Sequence, residues 1–154
     1  MKVTDVLQPT LTRAKLTSSS KKTTLEALAG LIADQFTEID EELLFSNFIS
    51  RERLGSTGFG DGVAIPHCRL PGLRRIHGAL ITLTDPIDFD SADQQPVDVI
   101  FALVVPEEKN DEHLATLAAI AGLFSAAKTR QLLRCCDDDQ QLYDAVLELD
   151  GTGH

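Results

Sequence analysis

The chain has 154 residues, 43% of them hydrophobic and 25% charged, proportions that fit one globular domain and exclude a disordered or fibrous polypeptide. Acidic residues outnumber basic ones 24 to 14, giving a formal charge of −10, so sequence-independent binding to nucleic acid or to an anionic membrane surface is not expected. The three cysteines, Cys68, Cys135 and Cys136, form no disulfide framework, no apolar run approaches a membrane span, and the N-terminus lacks the apolar core of a secretion signal, which together predict a cytoplasmic protein without membrane insertion.

Taken in chain order, Thr23 and Glu26 have the spacing of a capping box, and Leu25, Leu28, Ala29, Ile32 and Phe36 follow at helical intervals, predicting a helix from about 23 to 36. Asp40 is placed to cap a second helix carrying Leu44, Phe45, Phe48 and Ile49, with Arg51 and Arg53 in its last turn. Four glycines between positions 55 and 62 make a loop. Short strands are predicted over 63–66, 77–84 and 98–105, the last apolar throughout, as for a central strand covered on both faces. The final third reads as helical. Leu114, Leu117, Ala118, Ala121 and Phe124 form one stripe after a cap at Asn110 or Asp111. Thr129 is positioned to cap a short helix, and Asp138 or Asp139 a last one with Leu142, Ala145, Val146 and Leu149 inward. The class that follows is α/β: a small mixed sheet flanked by helices on both sides, in a single domain over 1–149 with a frayed tail over 150–154.

Chemistry concentrates in Arg51 to His67 (RERLGSTGFGDGVAIPH), which joins a cation, a glycine-rich loop with two hydroxyls and a histidine beyond a strand. Glycines let backbone N–H groups approach an oxyanion, Ser56 and Thr57 add donors, and Arg51 can offer phosphate a forked pair of bonds. His67 is the candidate nucleophile, because imidazole, with a reference pKa of about 6.5, is largely neutral at pH 7. The loop lacks the Gly-Lys-Ser/Thr ending of a Walker motif, and it leads into a strand and not a helix, which excludes the dinucleotide fingerprint. By residue types alone it is equally a tight hairpin with an incidental surface histidine.

The same segment resembles the active-site signature of the IIA domains of the bacterial phosphoenolpyruvate-dependent phosphotransferase system, fructose/mannitol class, and looks most like their stand-alone nitrogen-regulatory branch. The resemblance continues in Gln95 to Pro106 (QPVDVIFALVVP) and His113 to Leu117 (HLATL), and covers about residues 1–149. It implies a phosphotransferase: a regulatory phosphocarrier that takes a phosphoryl group from an HPr-like phosphohistidine protein onto Nε2 of His67, without metal or cofactor. It matches Arg51 to the family's active-site arginine and His113 to its second active-site histidine, with Ser56 and Thr57 ranked below them as phosphate ligands. Regulatory targets such as potassium transporters or sensor kinases are implied in the same way. Cys68 departs from the pattern, where glycine is expected.

Histidine-to-histidine transfer asks for in-line alignment and charge stabilisation more than covalent help, and an arginine with backbone and imidazole donors supplies that. The alternative within the family is a sugar-specific IIA subunit passing phosphate to a IIB domain. Outside it stand a cysteine hydrolase using Cys68 with His113 as base, and a binding module whose histidine never reacts. Of the remaining features, His77 reads as structural and His154 as inert. Arg53, Arg69, Arg74 and Arg75 read as a solvated basic surface or a docking rim around His67. Cys135 and Cys136 read as a buried or half-buried pair, and Asp137 to Asp139 as a solvated helix start.

Overall fold

The computed structural model describes residues 2–108 and 111–151. After a 3₁₀ turn at Val3–Asp5, the order is β1 (Leu7–Leu16), α1 (Lys21–Gln35), α2 (Glu41–Arg53), β2 (Gly58–Gly60), β3 (Val63–Ala64), β4 (His67–Leu70), β5 (His77–Ile87), β6 (Val97–Pro106), α3 (Asp111–Phe124), α4 (Ala127–Arg134) and α5 (Asp139–Gly151). The strands form one mixed sheet in the order β1-β5-β6-β3-β2, with β4 also paired to β6. β5 and β6 run antiparallel, whereas β1 is parallel to β5, and β3 and β4 are both parallel to β6.

The central strand β6 alternates between two cores. Val97, Ile100, Ala102 and Val104 pack with Leu25, Leu28, Ile32, Leu44 and Phe48 of α1 and α2. Val99, Phe101, Leu103 and Val105 pack with Ile120, Phe124, Leu133, Leu142 and Val146 of the three C-terminal helices. Burial on both faces is why this strand reads as a continuous apolar run. Helices thus cover both sides of the sheet, as expected.

Several boundaries differ from the sequence expectation. The cap of α1 is Ser20, whose hydroxyl accepts from the Thr23 N–H at 3.1 Å; Thr23 is the third helical residue, and Glu26 is exposed and takes no part. Asp40 caps α2 as expected, accepting from Glu42 N–H at 2.9 Å and Leu43 N–H at 3.2 Å, an arrangement worth about 1 kcal/mol. The strand expected over 63–66 ends at Ala64, because Pro66 has no N–H to give a ladder. β1 lies outside the expected strands; only Leu7, Leu11 and Thr12 of it are buried, and it holds Pro9, which an edge strand tolerates.

In α3 the buried residues are His113, Thr116, Ile120, Leu123 and Phe124; of the expected stripe Phe124 is buried and Leu117 packs half-buried against the core, whereas Leu114 and Ala118 are exposed. Asn110, one of the two expected caps, lies outside the described residues. Thr129 sits buried inside α4, whose N-cap is Ala126 with no side-chain bond. Asp138 accepts from Gln141 N–H at 2.8 Å at the start of α5. That helix continues through Gly151, and Asp150, expected in the tail, accepts from Val3 N–H at 3.1 Å and Thr4 N–H at 2.9 Å. Among the described residues no helix is long and apolar enough to cross a membrane.

Candidate active site

β4 begins at His67 and pairs with β6 in the register His67 to Leu103, Cys68 to Val104, Arg69 to Val105 and Leu70 to Pro106. Alternation along the strand sends Cys68 and Leu70 into the core beneath α1 and α2, leaving His67 half-buried and Arg69 exposed on the other face. The carbonyl of Arg69 accepts from Asn47 Nδ2 of α2 at 3.0 Å.

His67 Nδ1 lies 2.8 Å from the carbonyl oxygen of Ile65. A carbonyl only accepts, so Nδ1 is the donor, and in the neutral ring the lone pair belongs to Nε2 on the opposite edge. The Ile65 carbonyl is itself held from both sides. Ile65 N–H donates to Thr57 O at 3.0 Å, and the Pro66 carbonyl accepts Leu103 N–H at 2.9 Å. Between them Pro66 fixes its own φ. The Ile-Pro-His run therefore sets the imidazole's orientation and its tautomer together.

Arg51 occupies the last turn of α2, where a cation suits the helix dipole, and its Nη1 donates to Gly55 O at 2.9 Å. His113 stands in the first turn of α3 and is only 8% exposed. The three side chains, from the C-terminus of α2, the start of β4 and the N-terminus of α3, line one cleft of about 890 Å³. Leu54 and Leu114 also line it and are 86% and 68% exposed, giving it an apolar rim. Arg69 contributes a second cation to the lining.

The loop hydroxyls are placed differently. Ser56 Oγ donates to Phe89 O at 2.7 Å and accepts from Gly58 N–H at 2.9 Å. Thr57 is buried, and both its hydroxyl and its N–H donate to the Glu52 carboxylate, the N–H at 3.1 Å. The structure thus brings Arg51, His67 and His113 together and keeps Ser56 and Thr57 out of the cleft lining. Two of the four glycines expected to let backbone approach an anion, Gly58 and Gly62, serve packing here. A Cβ on Gly58 would overlap Ser91 Oγ and come within 3.0 Å of Ser91 Cα, and one on Gly62, at φ +84°, would collide with the Arg134 guanidinium.

Burial pushes the Cys68 thiol up to about 12, so it stays protonated at neutral pH and lacks the thiolate that a cysteine nucleophile needs. His77 stacks on Phe36 with ring centroids 3.9 Å apart, in keeping with a structural role. Arg74 and Arg75 face a separate cavity of about 460 Å³ shared with Glu38 and His77, away from the cleft. Sequence reasoning did not single out Asn47, Glu52 or Leu54. Glu52 meets Thr57 five residues on, a spacing with no helical meaning because the chain has already turned.

A family model described as "Phosphoenolpyruvate-dependent sugar phosphotransferase system, EIIA 2" matches residues 5–148. A nitrogen regulatory protein of Pseudomonas aeruginosa is 40% identical over 149 residues, covering 97% of each chain. One of Escherichia coli is 36% identical over 153 residues, covering 99% of this chain and 93% of that one. The crystal structure of nitrogen regulatory protein IIA-Ntr from Neisseria meningitidis superposes with a TM-score of 0.85 at 34% identity, over 92% of this chain and 97% of that one.

Proposed function

The chain belongs to the EIIA type 2 family of the phosphoenolpyruvate-dependent sugar phosphotransferase system, and on that premise we propose that it is a regulatory phosphocarrier that accepts a phosphoryl group on His67 Nε2. The observation that carries this is the 2.8 Å bond from His67 Nδ1 to Ile65 O, which leaves the lone pair on Nε2. The donor is a phosphohistidine on an HPr-like protein. As the bond from phosphorus to Nε2 forms, the bond to the donor imidazole breaks, and that ring leaves with the electron pair.

The transferring group carries its charge on three oxygens, and stabilising it in place is most of the work. Arg51 supplies guanidinium N–H donors and His113 a ring nitrogen, both from the walls of the same cleft. The apolar rim of Leu54 and Leu114 supports docking of the donor and exclusion of water during transfer. Residues 1–149 act as one phosphotransferase domain.

Phosphorylation adds about two negative charges to a chain already at −10. That change, placed in a cleft that two exposed leucines also line, alters what the cleft can bind, and it is the basis of a regulatory role through protein contacts. The names of the similar proteins favour nitrogen regulation; potassium transporters or sensor kinases are the kind of target to test.

The direct experiment incubates the protein with the phosphorylated form of an HPr-like carrier, then measures intact mass. A single acid-labile phosphoryl adduct is expected, absent from a folded His67→Ala variant. His113→Ala should still take the adduct, more slowly. Persistence of the adduct in His67→Ala overturns the assignment.

A further inference from the structure

We propose that Glu52 is a positioning residue for His67, acting through Thr57 and Ile65 to hold the imidazole in the tautomer protonated at Nδ1; its effect on transfer rests on the phosphocarrier reading, its effect on the ring does not. Glu52 lies in the last turn of α2 with its side chain 5% exposed. A carboxylate so far out of water needs partners. It has Lys21 Nζ at 2.6 Å, Thr57 N–H at 3.1 Å to one oxygen and 3.2 Å to the other, and the Thr57 hydroxyl. Lys21 is fixed in turn, 3.5 Å from Asp90 and 4.9 Å above the Phe89 ring.

Glu52 therefore clamps Thr57 to the end of α2 and, through Lys21, to the start of α1. From Thr57 the connection runs through the main chain. Its carbonyl accepts Ile65 N–H at 3.0 Å, and the Ile65 carbonyl accepts His67 Nδ1–H at 2.8 Å. Glu52 is not among the residues lining the cleft, so it does not meet the phosphoryl group. What it controls is where the Ile65 carbonyl points. If that carbonyl swings away, nothing holds the proton on Nδ1, and the fraction of rings with a bare Nε2 falls. A hydrogen bond worth about 1 kcal/mol sets the scale: a tautomer ratio changed roughly threefold to tenfold.

The test reads the ring nitrogens of His67 by ¹⁵N NMR on the unphosphorylated protein, above the pH at which imidazole is charged. The Nδ1–H form should dominate in the native chain. Glu52→Ala should move the ratio toward Nε2–H by about threefold to tenfold and slow phosphoryl acceptance by less than that factor, because the Nδ1–H form starts out dominant. Glu52→Gln keeps a carbonyl oxygen for Thr57 and should recover most of both. A folded Glu52→Ala protein with the native tautomer ratio overturns the proposal, as does a Glu52→Gln protein as perturbed as Glu52→Ala, which would leave only an ion pair to Lys21. Where Glu52→Ala does not fold, Thr57→Val deletes the hydroxyl arm alone. It should shift the tautomer ratio and slow acceptance in the same direction, and a native ratio in that variant overturns the proposal equally. A native protein that never takes phosphate overturns the carrier reading and leaves the NMR comparison in force.

Discussion

Arg51 donates through Nη1 to the carbonyl oxygen of Gly55, 2.9 Å away and just beyond the end of its own helix. The bond takes one of the five guanidinium donors and anchors the group beside the cleft, so that the rest of the fork is pre-oriented for an anion. Lysine keeps the charge but cannot hold the Gly55 carbonyl and a phosphoryl oxygen in the same planar arrangement. Arg51→Lys is expected to slow transfer to and from His67 by about tenfold to a thousandfold with little change in stability. Rapid-quench phosphotransfer measures this, and native rates would reduce Arg51 to a cation at a helix end.

Gly58 and Gly122 should respond to alanine in opposite directions. At Gly58 the new Cβ meets Ser91, including its backbone Cα at 3.0 Å, so the loop must move, at a cost of about 1–3 kcal/mol. At Gly122, inside α3, nothing lies within 4 Å, and helix propensity should add about 0.8–1.0 kcal/mol. Urea midpoints of the two variants provide the comparison, and a neutral Gly58→Ala would show that the Ser91 contact yields easily.

The cysteines should label in a fixed order. Cys135 is exposed, whereas Cys68 and Cys136 are buried. Burial raises both buried thiols, Cys68 to about 12. Iodoacetamide at pH 8 is expected to modify Cys135 first and to reach Cys68 only on unfolding. Cys68→Ala should accept phosphate at close to the native rate. Fast labelling of Cys68 in the folded chain, together with loss of transfer in Cys68→Ala, would restore the cysteine-nucleophile reading.

His77 predicts a pH dependence. Burial against Phe36 holds its imidazole below the ordinary value of 6.5, with Glu38 opposing the shift and Arg75 adding to it. The unfolded chain then takes up the proton first as pH falls, so the contribution of His77 is intact above about 6.5 and is lost as pH drops through that value toward the folded one. His77→Phe keeps an aromatic partner for Phe36 and removes the titration. The fall in melting temperature between pH 7 and pH 5 should be shallower in this variant, and an equal fall would place the effect elsewhere.

Much of this was legible before folding. The periodicity of α1 and α2, the Asp40 cap and the two-faced apolar run of β6 are local or compositional, and each follows from side chains that have one place to go. Arg51 and His67 could be named from residue type and pattern; His113 could be named only through the family resemblance, because a histidine in a helix's first turn otherwise reads as a surface residue. The phase of α3 could not be read from pattern. Leu114 and His113 are neighbours on the helix, and which one turns inward depends on the cleft built by α2 and β4, where Leu114 forms rim and His113 forms wall.

The roles of Ser56 and Thr57 were undetermined for a related reason. A hydroxyl in a glycine loop donates to the best acceptor within reach, and the sequence does not say which acceptors will be near. Folding brings Phe89 O to Ser56 and the Glu52 carboxylate to Thr57. The local sequence thus supplied a histidine, an arginine and a loop able to turn sharply. Only the tertiary structure decided that the loop's donors would face inward, away from the cleft, because hydrogen bonds are assigned by proximity among groups that the chain alone leaves far apart.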